Sequence, residues 1–221
     1  MLTLTLLAPL LVPASFAQDT VDIGVLKHSE IKVVQKVLYT KASRLEVGAA
    51  LGVLPFDGYT IAPIANVRAA YHFSETLGAE VALGGGYGLK TARYVELEGQ
   101  SYGVAVEAYR YLASVEADIQ WTPIYAKMNL AGKGILHHDV YVLLGVGATL
   151  EQSVLPSADI GIAPGAPIGI GTRIYLSNSA MLRAELRDTV MYEYRAQSQT
   201  GGIKQNVGIT VGLSLLLGSG K

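Results

Sequence analysis

The sequence predicts an all-β protein, an eight-stranded antiparallel up-and-down transmembrane β-barrel, and three observations carry that expectation. First, stretch after stretch alternates apolar and polar residues with a period of two. In 206–217, "NVGITVGLSLLL", Val207, Ile209, Val211, Leu213, Leu215 and Leu217 share one parity, while Asn206, Gly208, Thr210, Gly212 and Ser214 take the other. Second, charge and glycine gather on the polar parity, the latter as Gly84, Gly86, Gly88, Gly145, Gly147, Gly169 and Gly171. A water-facing strand gains nothing from glycines that weaken it, whereas a narrow lumen needs small residues beside large ones. Third, Tyr71, Phe73, Tyr87, Tyr111, Trp121, Tyr192 and Tyr194 fall near strand ends, as aromatic girdles do at membrane surfaces. The competing fold, a secreted sandwich, would hide the apolar parity in a core. A barrel turns it toward lipid.

Composition agrees. Of 221 residues, 50% are hydrophobic and only 16% charged, with a net charge of -1 that gives no electrostatic reason to expect nucleic acid. The absence of cysteine excludes disulfides and thiol chemistry. The first residues, "MLTLTLLAPLLVPASFA", form an apolar run ending in a small-x-small pattern, which reads as a signal peptide over 1–17. No later run approaches the ~18 uninterrupted apolar residues of a membrane helix. Residues 18–40 are mixed in charge and read as a periplasmic N-terminal segment, leaving 41–221 for the barrel.

Taken in order, strand one sets Leu45, Val47, Ala49, Leu51 and Val53 against Arg44, Glu46, Gly48, Ala50 and Gly52. Strand two sets Ala65, Val67, Ala69, Tyr71 and Phe73 against Asn66, Arg68, Ala70 and His72, and "SETLG" turns the chain into strand three, Ala79 to Leu89. Strand four runs from Ser114 to Trp121 and strand five from Asp139 to Thr149. Strands six (Ile168–Ile174) and seven (Leu182–Asp188) flank the turn "SNSA", and 206–217 is the eighth. Asp188 is the exception on the apolar parity, and a bulge rotating the strand end would account for it. Connections at 91–110, 151–164 and 193–205 read as long external loops, opposite short periplasmic turns. Residues 122–136 read as a continuation of strands four and five past the membrane, closing at Ala131–Gly134 with Pro123 at a bulge.

An eight-stranded barrel has an interior just wide enough to be filled by side chains. The inward set offers Arg44, Arg68, Arg173, Arg183 and Arg187 against Glu46, Glu80, Glu116, Asp118, Asp139 and Glu185. In so small a volume these should pair, with Arg183, Arg187 and Arg173 meeting Glu185, Glu116 and Glu80, because an unpaired charge away from bulk water is costly. The expected lumen is a plug of ion pairs, not an open pore.

The stretches "VVQKVLYTKASRLEVGAALGV", "RAAYHFSETLGAEVALGGGYG", "QWTPIYAKMN" with "HHDVYVLLGVGAT", and "GTRIYLSNSAMLRAELRDTVMYEY" resemble the outer-membrane β-barrel domain family of myxobacteria and related deltaproteobacteria. The resemblance spans about residues 31–217 and is strongest in "AAYHFSE" and "LRAELRD". It implies a small barrel in the outer membrane of a Gram-negative bacterium, OmpA-like in architecture, with lipid and lipopolysaccharide around it and envelope proteins as partners, in some cases motility machinery. The chain departs from many barrels by ending "LLLGSGK" without a terminal aromatic residue.

No catalytic, cofactor or metal set emerges. His28, His72, His137 and His138 all fall in the N-terminal segment or at the periplasmic end, the wrong side for a lipid A-modifying enzyme acting on the outer leaflet. His137 and His138 are adjacent strand residues that point to opposite faces, so they do not converge on one ion. "GGGYG" and "GVGATLE" lack the lysine and following helix of a phosphate loop. The expected function is therefore a non-enzymatic scaffold, with a narrow channel or a surface-loop binder using Tyr94, Tyr102, Tyr109 and Arg195 as alternatives.

Overall fold

Residues 39–99, 103, 105–129 and 135–218 are described by a computed structural model. They form β1 (Arg44–Asp57), β2 (Thr60–His72), β3 (Leu77–Gly86), β4 (Leu89–Lys90), the helix α1 (Ala92–Glu98), β5 (Tyr109–Asn129), β6 (Ile135–Ser153), β7 (Ile160–Tyr175), β8 (Ala180–Arg195) and β9 (Thr200–Leu217). Pairing is antiparallel throughout; β4 prolongs the line of β3 beside β2, and β1 pairs with both β2 and β9. The sheet thus closes on itself as eight staves and has no free edge along the barrel wall, which is how a β-structure satisfies its backbone in lipid.

Closure is staggered. A row of partners that starts at Leu45 passes through Tyr71, Ala79, Ile119, Leu144, Ile168 and Asp188 and reaches β9 at Val207. Leu45 itself pairs with Leu217, ten residues further along β9. Ten residues of stagger around eight staves tilt the strands by about 40° from the axis, so each step from stave to stave rises by about 3 Å.

The side chains are arranged inside out relative to a soluble protein. Leu51, Val67, Leu83, Ile119, Leu144, Val146, Ile168, Ile209 and Leu213 are all exposed on the outer wall, while Glu46, Glu80, Asp139 and Arg173 are buried. Leu213, Leu215 and Leu217 of the C-terminal stretch face outward and Ser214 faces in. Tyr71, Phe73 and Trp121 ring the lower rim; Tyr87, Tyr192 and Tyr194 ring the upper one. Tyr111 departs from the expected girdle. It is buried in the lumen, where its hydroxyl meets Ser114 at 2.8 Å and its ring meets Phe56 edge-on.

Three further expectations are corrected. The segments 151–164 and 193–205 are mostly strand, since Ser153 ends β6, Ile160 begins β7, and Arg195 pairs with Thr200 across a four-residue turn. In 193–205 the cause is polar pairing at the mouth: Lys204 of β9 lies 2.7 Å from Glu193 of β8, and Arg195 holds the same carboxylate from its own strand at 2.9 Å. Only 91–108 remains a long connection, and it folds partly into α1. Asp188 sits in an unbroken register, opposite Ile168 and Val207, without the bulge that its parity suggested. The β5–β6 ladder does shift between Trp121 and Ile124, around Pro123, and continues below the lower girdle. The signal peptide, most of the 18–40 segment and the closing turn at Ala131–Gly134 lie outside the described residues.

An even number of staves puts both barrel ends beside the β2–β3 and β7–β8 turns, the periplasmic side in bacterial barrels. A membrane-impermeant thiol reagent applied to whole cells should therefore modify a cysteine placed at Glu96 in α1 and spare one placed at Ser177. The opposite labelling pattern would invert the barrel.

Candidate functional site: a charged lumen

Every second residue of each stave points inward, and the stagger brings inward residues of distant strands to one level. At the periplasmic end the centre is Asp139 of β6, fully buried. It accepts a hydrogen bond from Tyr175 Oη at 2.8 Å, lies 3.4 Å from Arg173 Nη1 and 2.5 Å from Lys41 Nζ. Arg173 reaches across to Glu46 at 3.2 Å and also donates to the Gln120 side-chain carbonyl. Glu46 in turn is 2.9 Å from His72 Nε2 and 3.2 Å from Arg183.

The middle level is built on Arg183. Its guanidinium lies 2.5 Å from Glu80, 2.7 Å from Glu185 and 3.2 Å from Glu46, while its Nε donates to Tyr141 Oη at 2.6 Å. Tyr141 Oη in turn donates to Glu185 at 2.6 Å. The Tyr141 ring packs under two guanidiniums, Arg173 at 4.1 Å and Arg183 at 4.7 Å from its centroid. Such a stack holds two like charges close only because carboxylates surround both. Arg68 adds a 3.0 Å contact to Glu185 and a longer one, 3.8 Å, to Glu80. At the upper level Arg187 pairs with Glu116, with Asp118 and Glu185 at 3.0 Å, and with Glu80 at 3.4 Å.

Glycines on this parity make the packing possible. A Cβ on Gly171 would stand 2.2 Å from the Tyr141 hydroxyl, and one on Gly145 would stand 2.1 Å from the Asp118 carboxylate. Both side chains lie flat over a neighbouring stave only because that stave offers no side chain.

Ten of the eleven residues expected to form the network are thereby brought together, and of the three expected pairs Arg183–Glu185 and Arg187–Glu116 form, whereas Arg173 meets Glu46 and Asp139 instead of Glu80. Arg44 stands apart. Its guanidinium donates to three backbone carbonyls, Thr40 at 3.2 Å, Asn178 at 3.0 Å and Leu216 at 2.9 Å, and so ties the periplasmic rim together instead of neutralising a lumen acid. The cation that sequence reasoning missed is Lys41, assigned only to the start of the barrel domain. Ser43, at φ 61°, turns the chain so that Lys41 enters the lumen from below, and the Glu75 carboxylate clasps the backbone N–H groups of Lys41 and Ala42. Tyr39 stacks on Tyr175 with centroids 5.0 Å apart and closes that opening further. Burial pushes the Lys41 ammonium below its usual range and Arg173 adds to that, while Asp139 opposes both.

Above Arg187 and Glu116 lies a chamber of about 60 Å³ walled by Leu54, Ile64, Asn66, Ser114, Thr149 and Thr210. Phe56, Tyr109, Tyr111 and Met191 close it toward the outer mouth. At the mouth itself Tyr94 and Tyr109 are buried, and Arg195 is held by Glu193 and Asp57, so these proposed binder residues do not form an open surface; Tyr102 lies outside the described residues. His137 bonds Tyr125 Oη at 3.2 Å inside the barrel, and no three histidine, aspartate or glutamate side chains converge on a metal position among the described residues.

No family model matches the chain and no curated protein does so either. Solved structures do. The N-terminal β-barrel domain of Pseudomonas aeruginosa OprF matches with a TM-score of 0.50 at 11% identity, over 80% of this chain and 98% of that one. The outer membrane protein OprG from Pseudomonas aeruginosa gives a TM-score of 0.49 at 10% identity, covering 83% of this chain and 100% of that one. AlkL in lipid bilayers gives 0.48 at 15% identity, covering 88% and 99%. The likeness to the OprF domain is one of fold. Together with the apolar wall and its two aromatic girdles, it gives this chain the fold of a small transmembrane barrel of the outer-membrane type.

Arg183 touches three carboxylates, whereas Glu116 has Arg187 alone and Arg187 keeps three other acids without it. Replacing Arg183 with Met should cost about 3–5 kcal/mol, the scale seen when one partner of a buried pair is removed. Glu116→Ala should cost clearly less. Urea unfolding in detergent, followed by the gel shift between folded and unfolded barrel, would rank them; equal midpoints for the two variants would contradict the network drawn here.

Proposed function

We propose that this barrel is a non-conducting, non-enzymatic scaffold in the outer membrane, a structural part of an envelope complex. The observation that carries this reading is the lumen: three levels of interlocked side chains, Lys41–Asp139–Arg173, Arg183–Glu80–Glu185 and Arg187–Glu116–Asp118, occupy the cross-section in turn. A barrel closed in this way works through its surfaces, namely its wall, its outer mouth and the β5–β6 extension on the periplasmic side. The resemblance to the myxobacterial and deltaproteobacterial barrel family supports envelope partners of the motility-machinery kind. Export by cleavage after Ala17 fits the same reading, and mass spectrometry of the protein from purified outer membranes should find the chain beginning at Gln18.

A narrow channel is the second reading, favoured by the chamber above Arg187. The two differ in a planar bilayer. The scaffold reading expects no large, stable current from the intact barrel, and a small rise at most when the upper level is thinned by Glu116→Ala. A steady porin-sized conductance from the unmodified protein would mean that the lumen opens, and the scaffold assignment would fall.

A further inference from the structure

Among the described residues, Asp188 is the only ionisable residue on the lipid-facing parity between the two girdles. The register fixes its depth. It lies five staves along a rising row from Tyr71 of the lower girdle, about 15 Å above it, and four residues below Tyr192 of the upper one, about 10 Å by strand rise and tilt. Both separations put it within the ~25 Å apolar band of such barrels. Its partners across the ladder, Ile168 and Val207, and its neighbour along the strand, Leu186, are exposed apolar residues of the outer wall. One carboxylate oxygen, Oδ1, is shielded and accepts no hydrogen bond.

A carboxylate placed there needs a donor, and its short side chain reaches neither membrane surface. Acyl chains supply none. A second copy of this chain supplies no cation either, because Asp188 is itself the only ionisable residue that the described outer wall presents at any depth between the girdles. A cation at this depth would come from another membrane-embedded protein. We propose that the outer wall of β7–β9 around Asp188 is a docking face for an integral membrane partner that presents a lysine or arginine at this depth. The inference rests on the scaffold reading and names the face that such a scaffold would use. It also explains the unbroken register: a bulge at Asp188 would have turned the carboxylate away from the lipid face, whereas the straight strand presents it.

The probe is a transmembrane Leu/Ala helix with one lysine placed at the depth of Asp188, against the same helix with leucine there. Barrel and helix are labelled for energy transfer and mixed in phosphatidylcholine–phosphatidylglycerol vesicles. The lysine helix should associate on the order of tenfold more strongly than the leucine helix, the scale of a polar contact between spanning segments. Asp188→Leu should erase the difference and Asp188→Glu should restore it. Asp188→Leu adds an apolar side chain to a lipid-facing site and so leaves folding intact, which the gel shift checks. In cells, a photo-crosslinker at Val190 or Val207, but not at Val81 on the far wall, should give an adduct with a different protein that disappears with Asp188→Leu. Equal binding of the two helices overturns the proposal, as does an adduct made of two copies of this chain. An envelope complex that co-purifies unchanged with Asp188→Leu would sink the docking face while leaving the scaffold reading in place.

Discussion

Four arginine guanidiniums packed in a space without bulk water are the constraint on which the rest of this barrel depends. Arg68, Arg173, Arg183 and Arg187 project from three of the eight staves, β2, β7 and β8, and of the carboxylates they need only Glu185 shares a stave with an arginine, the others coming from elsewhere in the ring: Glu46 from β1, Glu80 from β3, Glu116 and Asp118 from β5, Asp139 from β6. A guanidinium offers five donors in one rigid plane, so it can bridge several acids at once in a fixed geometry, where lysine has three donors on a compact point charge. Arg183 uses that geometry fully, with three carboxylates and a tyrosine hydroxyl. Six lumen acids against four arginines leave an acidic excess, and Lys41 and His72 supply the additional donors at the periplasmic end. The glycine positions follow from the same constraint, since a Cβ at Gly145 or Gly171 would occupy the place that Asp118 or Tyr141 takes.

The outer wall obeys a simpler rule, and this is why most of the fold could be read from sequence. Along Val207, Ile209, Val211, Leu213, Leu215 and Leu217, one parity only has to be apolar, and nothing about partner strands enters. The strand ends were harder to read. Beyond the bilayer both parities carry polar residues, so Glu193, Arg195 and Lys204 look like loop although the Lys204–Glu193 pair joins β9 to β8 close to the turn. The membership of the lumen network was legible from parity, but its pairing only in part: Arg183–Glu185 and Arg187–Glu116 form as expected, while Arg173 does not meet Glu80. Which acid meets Arg173 depends on a ten-residue stagger around the ring, and a stagger is a property of closure that no single strand displays. Arg44 and Lys41 show the limit most clearly. Their order in the sequence suggested that Arg44, inside the first strand, was the lumen cation, but the turn at Ser43 sends Lys41 inward and leaves Arg44 beneath the rim carbonyls.

The two surfaces of the wall also differ in how they tolerate error. On the lipid side one apolar residue replaces another with little consequence, so long as it is not charged. On the lumen side each group has specific partners, and losing one leaves another uncompensated. Asp188 is informative because it breaks the tolerant rule on the tolerant side: a carboxylate there does nothing for the barrel's own packing, its Oδ1 having no bond within the described chain. The Tyr111 misreading has the opposite origin. An aromatic near a strand end fits a girdle and a lumen lid equally well, and the deciding factor, the space above Gly84, lies on a different stave.

Closure and charge neutralisation are one event in this architecture. Glu46 stands on the first stave, and its two arginines stand on the sixth and seventh, separated from it by more than half the chain. A barrel whose β1 has not yet met β9 should lack the Glu46 contacts of Arg173 and Arg183 and leave its lumen open to water along the seam. When the last pairing forms, water leaves and every inward charge must find protein partners together. The unpaired intermediate, a dry lumen with an open seam, is the costly one, because it combines buried charge with unsatisfied backbone edges. Folding intermediates that keep the lumen wet are therefore favoured until the seam closes, and the barrel should behave as a single cooperative unit whose plug and wall are lost together.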